Sequence, residues 1–379
     1  MEGPPASTQP PAPASAPEPA PESAKASTSQ LTIYDVARHA GVSIASVSRV
    51  LNGLDSPRPE TRERVLAAVR ELDFVPDGAA RALSSRLKEV VGVVFRRPFE
   101  QTMAGSGFAD EDGSLLFAEV INRGVELAAR GKGFDLLLSS VDVYEAGRQP
   151  RVASMAGKSD GLILHDRVLG PEGIVRLARR IPIVTLVGTP TPASVNVRSD
   201  NAAGMRELTG HLITEHACRT IGYLAGHADS PDNIDRARAG TALADEAGVE
   251  FLTGPSWQGN YMASGGAKVI DELVAEGATL PDVIMCANDQ TAIGALYALA
   301  EHGIRVPDDV AVTGFDDIPV ARHLRPRLTT VRQPIQQLGA TAFELLYTLI
   351  SGEPPAEREV VLPTTLVRRG SCGCTSEAT

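Results

Sequence analysis

The sequence predicts a small all-α domain at the N-terminus, followed by an α/β core of two lobes, each built on a doubly wound parallel sheet. Apolar residues recur at helical spacing from residue 31 to residue 72. After Lys88, short apolar runs alternate with helical segments and glycines stand at the strand ends, which is typical of parallel sheets covered by helices. The remaining stretch of roughly 290 residues exceeds what one such sheet needs, so two lobes are expected.

The first 30 residues have a different composition from the rest of the chain. Proline, alanine and serine dominate residues 1–30, and large apolar side chains are almost absent there. Such a segment cannot bury enough apolar surface to offset the entropy lost on ordering it, so we predict that it is disordered. Residues 375–379 are predicted to form a second, short tail.

Three short helices account for the all-α domain. The apolar residues of the first helix lie on one face, at i, i+3, i+4 and i+7: Ile33, Val36, Ala37 and Ala40. Gly41 ends this helix, and Ser43 can cap a second one, whose apolar residues face the same core: Val47, Val50 and Leu51. Asn52-Gly53 marks a turn before a third helix from about Pro59 to Leu72. Two helices joined by a tight glycine turn predict a helix-turn-helix domain.

The α/β core is predicted from apolar runs that are too short for helices. These runs are Val90–Phe95, Phe134–Leu138, Gly161–Leu164, Ile183–Val187, Ile221–Leu224, Val283–Cys286 and Val310–Gly314. Helical segments such as Val120–Ala129, Gly204–Ile213 and Thr291–Glu301 separate most of them. Ligands of such sheets bind at the carboxyl ends of the strands, which places a ligand in the cleft between the two lobes.

Several stretches of the sequence carry a resemblance to a known family. Thr32–Gly53, read as TIYDVARHAGVSIASVSRVLNG, is similar without a gap to the DNA-binding headpiece of the lactose-repressor/galactose-repressor (LacI/GalR) family. Three further blocks resemble the regulatory core of that family: Cys286–Ala295, Val306–Pro319 and Leu328–Pro334. With a hinge between them, the resemblance covers about residues 31–374.

The resemblance implies a division of the chain and a function. The expected parts are a headpiece at 31–76, a hinge helix at 77–88 and a periplasmic-binding-protein-like core at 89–374. The first lobe is expected at about 89–199 and 334–362, and the second at about 200–333 and 363–374. The implied function is that of a cytoplasmic, homodimeric repressor of carbohydrate-utilisation genes, which a small sugar releases from a near-palindromic operator.

The resemblance also names residues that would contact DNA. A recognition helix reads base edges in the major groove with residues near its N-terminus. Ile44 and Ala45 would set operator choice, and Arg49 would read a guanine. Phosphate contacts are expected from Thr32, Tyr34, Ser46, Ser48 and Asn52, with Ser43 at the start of the helix also among the DNA-binding residues.

The hinge completes the predicted DNA contacts. Ala80 lies in its centre, and Leu83 from each protomer would enter the minor groove as an apolar wedge. Asp77 stands where the family usually has asparagine, and Gly78 follows it. Glycine lowers helix propensity by about 1 kcal/mol relative to alanine, so we expect this hinge to depend on DNA for its folding.

Charge gives little indication of DNA binding. The whole chain has a formal net charge of −11 and a sequence pI of about 5.2. Residues 31–88 hold nine basic and seven acidic side chains, a net charge of +2. Nonspecific affinity should therefore be weak, salt should weaken specific binding steeply, and two headpieces of a dimer should be needed.

A sugar site needs an aromatic face and a few fixed polar groups. The resemblance implies that Asp316 accepts from adjacent hydroxyls, that Asn288 contacts the ligand and that Tyr261 stacks on the ring. Arg236 is the expected fourth contact, with Arg238 as the alternative, because the local sequence departs from the family pattern. The segment after Arg96, through Gly113, is longer than the family norm, so no residue of the first lobe is implied.

Other classes of function find little support in the sequence. Catalytic motifs, a membrane-spanning apolar run and a signal peptide are all missing, so neither an enzyme nor a membrane protein is expected. The histidines and the cysteines Cys218, Cys286, Cys372 and Cys374 show no metal spacing, so ordinary thiols, no metal site and no cofactor are predicted. Two alternatives stay open: a regulator that needs a co-repressor, either a purine or a phosphorylated carrier protein, and a sugar receptor that does not bind DNA.

Overall fold

The computed structural model describes Gly3 and residues 31–51, 57–75, 87–96, 116–141, 147–188 and 190–375. The chain divides into two compact units, residues 1–81 and residues 82–379. The tail at 1–30 apart from Gly3, most of the hinge and the segment after Arg96 lie outside the described residues, as do three of the predicted DNA contacts, Asn52, Ala80 and Leu83.

The described part of the first unit contains three helices: α1 (Ile33–Ala40), α2 (Ile44–Leu51) and α3 (Pro59–Glu71). Thr32 precedes α1, and its backbone N–H and hydroxyl both donate to Asp35 Oδ2, at 2.9 and 2.7 Å. Gly41 ends α1 with a φ of 60°, a left-handed conformation that favours glycine. The helices share an aliphatic core that includes Val36, Val47 and Val65, each fully buried or nearly so. The predicted helix-turn-helix domain is confirmed.

The second unit begins with a six-stranded sheet, which defines the first lobe. Its strands are β1 (Val90–Arg96), β2 (Asp135–Val141), β3 (Gly161–His165), β4 (Ile183–Leu186), β5 (Val195–Ser199) and β11 (Glu359–Leu362). They lie in the order β11-β5-β4-β3-β1-β2, and all pairs are parallel. The helices of this lobe are α4 (Leu116–Gly131), α5 (Arg148–Lys158), α6 (Pro171–Ala178) and α11 (Ile335–Ile350).

A second six-stranded sheet defines the second lobe. Its strands are β6 (Thr220–Leu224), β7 (Glu250–Leu252), β8 (Val283–Cys286), β9 (Ala311–Asp316), β10 (Thr329–Arg332) and β12 (Thr365–Val367). The order is β12-β10-β9-β8-β6-β7, parallel except between β10 and β12. The helices are α7 (Asn201–His216), α8 (Pro231–Ala247), α9 (Ala263–Ala275) and α10 (Asp289–Glu301). The predicted fold class, two mainly parallel sheets with helices, is therefore confirmed.

The chain passes between the two sheets three times: after β5, after β10 and after β11. At the first crossing Asp200 caps α7, because its side chain accepts a hydrogen bond from the Ala203 N–H at 2.9 Å. Asp200 also joins the third crossing, since its N–H donates to the Leu362 carbonyl and its own carbonyl accepts from the Thr364 hydroxyl. The crossings are thus hydrogen-bonded to one another, directly before the helix that enters the second lobe.

The core of each lobe is mainly aliphatic, as the low aromatic content predicts, with a few buried aromatic rings such as Phe343. In the first lobe α4 and α11 pack closely, because a side chain at Gly339 would lie 2.1 Å from the Ile121 carbonyl oxygen. Leu338 and Phe343 of α11 are fully buried between α4 and the sheet. Within the described residues, no helix combines the length and the apolarity that crossing a membrane requires.

Candidate functional site

The first candidate surface is the outer face of α2. Ile44 is 41% exposed, and Ala45 and Arg49 are also exposed, whereas Val47 and Val50 of the same helix are buried. The helix is therefore amphipathic, with its buried stripe on the domain core and the predicted base-contacting positions together on the outside. An exposed helix with an arginine and two small or branched apolar side chains can enter a major groove.

The remaining predicted contacts of the headpiece surround this face. Tyr34 is 62% exposed and Thr32 is exposed, while Ser46 and Ser48 are half-buried. Ser43 caps α2, because its Oγ accepts from the Ser46 N–H at 3.2 Å and lies 3.0 Å from the Ser46 hydroxyl. Ser43 thus orients α2, and a contact to DNA would share a hydroxyl that already has a structural partner.

The second candidate site is the cleft of the second unit, where Arg236 of α8 is 2% exposed. Its Nε donates to Asn201 Oδ1 at 2.8 Å, and its Nη1 donates to the Ala287 carbonyl at 2.6 Å. The guanidinium carbon lies 3.7 Å from the centre of the Phe315 ring. Stacking and hydrogen bonding together fix the plane of this cation, so it presents its remaining N–H groups in a defined direction.

Two carboxylates flank the Arg236 guanidinium. Its Nη2 lies 3.7 Å from Asp232 Oδ2, and its Nη1 lies 4.0 Å from Asp316 Oδ1. Asp232 also accepts from the Asn201 amide at 2.7 Å, so Asn201 bridges Asp232 and Arg236. Arg238, the alternative to Arg236, is exposed and pairs with Asp235 at 2.9 Å. The structure therefore places Arg236, and not Arg238, beside Asp316.

Asp316 ends β9 with a backbone φ of 124°, a value that residues other than glycine rarely adopt. Its carboxylate accepts from the Gln333 amide at 2.6 Å and is 5% exposed. Burial raises the pKa of Asp316 to about 7, although Arg236 and Gln333 oppose this shift. A strained residue with a buried carboxyl group at the carboxyl end of a central strand is typical of a binding site.

Tyr261 is half-buried and packs beside Gly226, just after β6. A side chain at Gly226 would lie 2.1 Å from Tyr261 Cζ, so the ring takes the space that the glycine leaves. The Tyr261 hydroxyl donates to Ser230 Oγ at 3.3 Å, and the ring packs edge to face against His227 at 5.7 Å between centroids. The aromatic ring predicted for the site is therefore close to the cleft and held on both sides.

Asn288 has a structural role that the sequence analysis did not predict. Its Oδ1 caps α10 by accepting from the Thr291 N–H at 2.9 Å, and its Nδ2 donates to the Tyr261 carbonyl at 3.2 Å. Asn288 therefore links the strand end of β8 to the segment that carries Tyr261. One N–H and one lone pair of the amide are left for a ligand.

Asp289, the residue after Asn288, packs against the end of β9. It is fully buried, accepts from the Thr330 hydroxyl at 2.5 Å and from the Ile318 N–H at 2.9 Å, and lies against Gly314. Burial raises the pKa of Asp289 well above its ordinary value, and the neighbouring Asp316 adds to the shift. Asp289 thus fixes the end of β9 that presents Asp316.

The first lobe contributes residues for which the sequence analysis had no candidate. Arg96 ends β1, and its guanidinium is hydrogen-bonded to His227 of the second lobe. Arg167 follows β3, donates to Asp166 at 2.8 Å and pairs with Asp229 of the second lobe. Both arginines follow strand ends, which is the one sequence signal that could have identified them.

Burial shifts the titration of the groups on this side of the cleft. Burial raises the pKa of Asp166 to about 7, against the charge of Arg167. Burial, then the charges of Arg96 and Arg167, lower the pKa of His227 to about 3, so its ring is neutral and can accept from Arg96. His165 ends β3, and its buried Nε2 has no hydrogen-bond partner among the described residues.

A separate group of potential metal ligands lies on the second lobe. Its members are His211, His216, Cys372 and Cys374, whose ligand atoms all lie within 4.8 Å of one another. Spacing along the sequence gives no sign of it, because the histidines and cysteines are about 160 residues apart and only the fold brings them together. Cys218 and Cys286 are free, buried thiols.

Comparisons with known proteins match the headpiece and the second lobe to two domain families. Residues 32–77 match the model of bacterial regulatory proteins of the lacI family, and residues 209–372 match the model of a periplasmic binding protein-like domain. The HTH-type transcriptional regulator GalR of Escherichia coli (strain K12) is 31% identical over 342 residues, which cover 90% of this chain and 95% of GalR.

Two solved structures cover nearly the same length. The lac repressor dimer bound to operator and the anti-inducer ONPF matches with a TM-score of 0.74 and 26% identity, over 90% of this chain and 99% of that chain. A complex of the transcriptional regulator CelR with cellobiose matches with a TM-score of 0.63 and 30% identity, over the same shares of the two chains.

Proposed function

Because this chain belongs to the lacI family of bacterial regulatory proteins, we propose that it is a homodimeric transcriptional repressor, which binds operator DNA through its headpiece and is released by a small sugar. It is a DNA-binding transcriptional regulator by this family membership. The observation that carries the proposal is that one chain holds both an exposed recognition-type helix and a buried polar cleft between two lobes.

The charges of the cleft favour a neutral, hydroxyl-rich effector. Arg236 faces Asp232 and Asp316, Arg167 faces Asp166 and Asp229, and Arg96 faces a neutral histidine. Because nearly every cation has a carboxylate partner, an anionic ligand would find little uncompensated positive charge. Hydroxyl groups can donate to the carboxylates and accept from the guanidinium groups, and Tyr261 offers an apolar face to a sugar ring.

Roles for single residues follow from this chemistry. Asp316 accepts from vicinal hydroxyls, and Arg236 donates to a ring or hydroxyl oxygen. Tyr261 packs on the ring, and Asn288 contributes its one free N–H. His165 of the first lobe is an additional candidate, because its Nε2 is buried without a partner among the described residues.

On the DNA side, α2 enters the major groove of each half-site. Arg49 donates to a guanine, and Ile44 and Ala45 contact thymine methyl groups or permit close approach. The contacts of Thr32, Tyr34 and the three serines of α2 and its cap fix the register on phosphates. Asn52, Ala80 and Leu83 keep the roles that the family resemblance implies.

The coupling between the two sites is a shift between two arrangements of the lobes. The cleft contacts that cross between lobes, Arg96 with His227 and Arg167 with Asp229, lie next to the effector residues. An effector that competes with these pairs changes the relation of the lobes, and with it the spacing of the two headpieces on DNA. The coupling must be reciprocal, so operator DNA must weaken effector binding by the same factor.

The test is a fluorescence anisotropy titration of the full chain on labelled operator DNA from near its own gene, followed by a panel of mono- and disaccharides. Tight binding that one sugar reverses is the expected result. If no sugar weakens DNA binding, but a purine base or a phosphorylated carrier protein strengthens it, the effector is a co-repressor and not an inducer. Absence of specific DNA binding under low salt would contradict the proposal as a whole.

Matched variants separate the two sites. Arg49→Ala should abolish specific DNA binding and leave sugar binding intact, whereas Arg70→Ala, on the exposed face of α3, serves as its control. Asp316→Asn should keep DNA binding and respond only to a much higher sugar concentration, with the exposed Asp308→Asn as its control. Release of Asp316→Asn at the wild-type sugar concentration would refute the assignment of the effector site.

A further inference from the structure

Four side chains from two distant parts of the chain converge on the outer side of the second lobe. His211 and His216 lie in the last turns of α7, and Cys372 and Cys374 lie in the segment that follows β12. His211 and Cys372 are buried, while His216 and Cys374 are half-buried. This group is not part of the cleft or of the headpiece, and the proposed function does not use it.

Five of the six separations between the four ligand atoms are close to those of a tetrahedral metal site. The two histidine Nε2 atoms lie 3.2 Å apart, and the two Sγ atoms lie 3.5 Å apart. Cys374 Sγ lies 3.5 Å from each of the two nitrogens, and Cys372 Sγ lies 3.7 Å from His211 Nε2. The sixth edge, from Cys372 Sγ to His216 Nε2, is within 4.8 Å.

A tetrahedral zinc ion imposes nearly the same separations. With Zn–S of about 2.3 Å and Zn–N of about 2.0–2.1 Å, its ligands lie about 3.3 Å (N to N), about 3.6 Å (N to S) and about 3.8 Å (S to S) apart. Five of the six edges agree with these values to within a few tenths of an ångström. A disulfide does not account for the geometry, because its sulfurs would be about 2.05 Å apart.

The local fold holds the two cysteines in this geometry. A short 3₁₀ turn, Gly370–Cys372, is followed by Gly373 with a φ of 97°, which returns the chain so that Cys374 lies beside Cys372. Ser371, directly before Cys372, is fully buried: its hydroxyl donates to the Val312 carbonyl and accepts from the Thr329 N–H. The segment is thus fixed to β9 and β10 before any metal binds.

The surroundings also resemble those of a metal site. The Thr329 hydroxyl lies 3.1 Å from Cys372 Sγ, where it can donate to a thiolate. Outer partners of this kind orient the ligands and raise the affinity for the metal. We propose that His211, His216, Cys372 and Cys374 bind one structural zinc ion, which fastens the C-terminal segment to α7.

The ligand set decides between a structural and a catalytic metal. Two thiolates and two imidazoles complete a tetrahedron, so no position is left for water or substrate. The same segment carries Arg369, whose buried guanidinium lies 2.6 Å from Asp317, the neighbour of Asp316. The zinc ion therefore stabilises the segment that supports the end of β9.

The experiment measures metal content on the full chain, expressed with zinc and purified through a tag that contains no histidine. One zinc ion per chain is expected by elemental analysis. Cys374→Ser and His216→Ala should each lose it, and Cys218→Ala, which removes a thiol from the same lobe, should keep it. Chelation of the wild-type protein should lower its melting midpoint by several degrees, because the metal binds only the folded ligand set.

A second measurement does not depend on the folding of the variants. Cobalt(II) added to metal-free wild-type protein should give the intense visible bands and the thiolate charge-transfer band of a tetrahedral site. Weak octahedral bands, no bound zinc, or zinc that remains in both ligand variants would each overturn the proposal. So would two free thiols per metal-free chain in a thiol count, because Cys372 and Cys374 would then form a disulfide. DNA binding, measured on the same samples, reports separately on the proposed function.

Discussion

The two sides of the cleft are built in different ways. On the second lobe, Arg236 and Asp316 are almost fully buried, and Arg236 is hydrogen-bonded to Asn201 and to the Ala287 carbonyl of the same lobe. On the first lobe, Arg96 and Arg167 instead reach their partners across the cleft, on residues of the second lobe. One partner, Asp229, is 75% exposed.

This difference indicates a division of labour. A buried group that is already held by hydrogen bonds within the protein loses little entropy when a ligand binds, so the second lobe is suited to set affinity. A pair that joins the two lobes at the edge of the cleft contributes little energy, but its formation depends on how the lobes are arranged. The first lobe is therefore suited to report that the site is occupied.

The largest effect should come from Arg236→Ala. The substitution leaves the carboxylates of Asp232 and Asp316 buried without their cation, and breaking a buried ion pair in this way costs about 3–5 kcal/mol. We expect the free energy of unfolding to fall by this order in urea titrations, with loss of sugar binding. Arg238→Ala, on the same helix but exposed, is the control, and a drop of similar size in that variant would contradict the comparison.

Asp316→Asn should have a smaller effect on stability and a large one on affinity. The amide keeps the volume and can still pair with Gln333, but it no longer offers a charged acceptor. A hydrogen bond to a charged group contributes about 1.5–3 kcal/mol, so sugar affinity should fall by roughly ten- to a hundredfold. Calorimetric titration measures this change. Unaltered affinity would show that the Asp316 carboxylate does not bind the sugar.

The role of Asp316 also predicts how stability and sugar affinity depend on pH. The pKa of Asp316 is raised from its ordinary 3.8 to about 7 in the folded protein, so the folded state holds a proton that the unfolded state releases. The contribution of Asp316 to stability is therefore largest below pH 4 and is lost as the pH rises through 7. Sugar affinity should change in the opposite direction and increase between pH 6 and pH 8, because the ionised carboxylate is the better acceptor.

Arg236, Gln333 and Asp232 face the Asp316 carboxyl group, and Asp166 titrates in the same range. Asp316→Asn should therefore flatten part of the pH profile of affinity, and Asp166→Asn should remove the rest. The exposed Asp308→Asn should leave the profile unchanged. A wild-type affinity that is constant from pH 6 to pH 8 would exclude a titrating carboxyl group from the site.

Much of the fold could be predicted from apolar patterning, but β5, β7, β10, β11 and β12 were not predicted. In β5 and β10, polar side chains are buried: Asn196 is hydrogen-bonded to Thr185, and Thr330 to Asp289. A strand that buries polar groups has no apolar run to reveal it. Its partners come from other strands, so the pattern becomes intelligible only when the sheet is assembled.

The residues of the candidate sites also fall into two groups, those that the sequence could predict and those that it could not. Asp316 could be predicted because it lies in a block that resembles a known family, and Tyr261 because the family resemblance implies an aromatic ring at that position. Asn201, which bridges Arg236 and Asp232, and the pair of Arg167 with Asp229 depend on contacts between distant segments. No local pattern encodes such contacts, and the same holds for the cysteines and histidines of the proposed zinc site.

The smallest effect on affinity, and the most direct test of the comparison, should come from Asp229→Ala. Because Asp229 is 75% exposed, the loss of its pair with Arg167 should change sugar affinity by less than about 1 kcal/mol. If the pair reports the arrangement of the lobes, the same variant should shift the sugar concentration at which operator DNA is released. Calorimetry and anisotropy on one preparation measure both quantities, with the exposed Asp245→Ala of α8 as control. If sugar affinity and the sugar concentration for release change by the same factor, the two lobes do not have separate roles. Affinity and release would then not be separable.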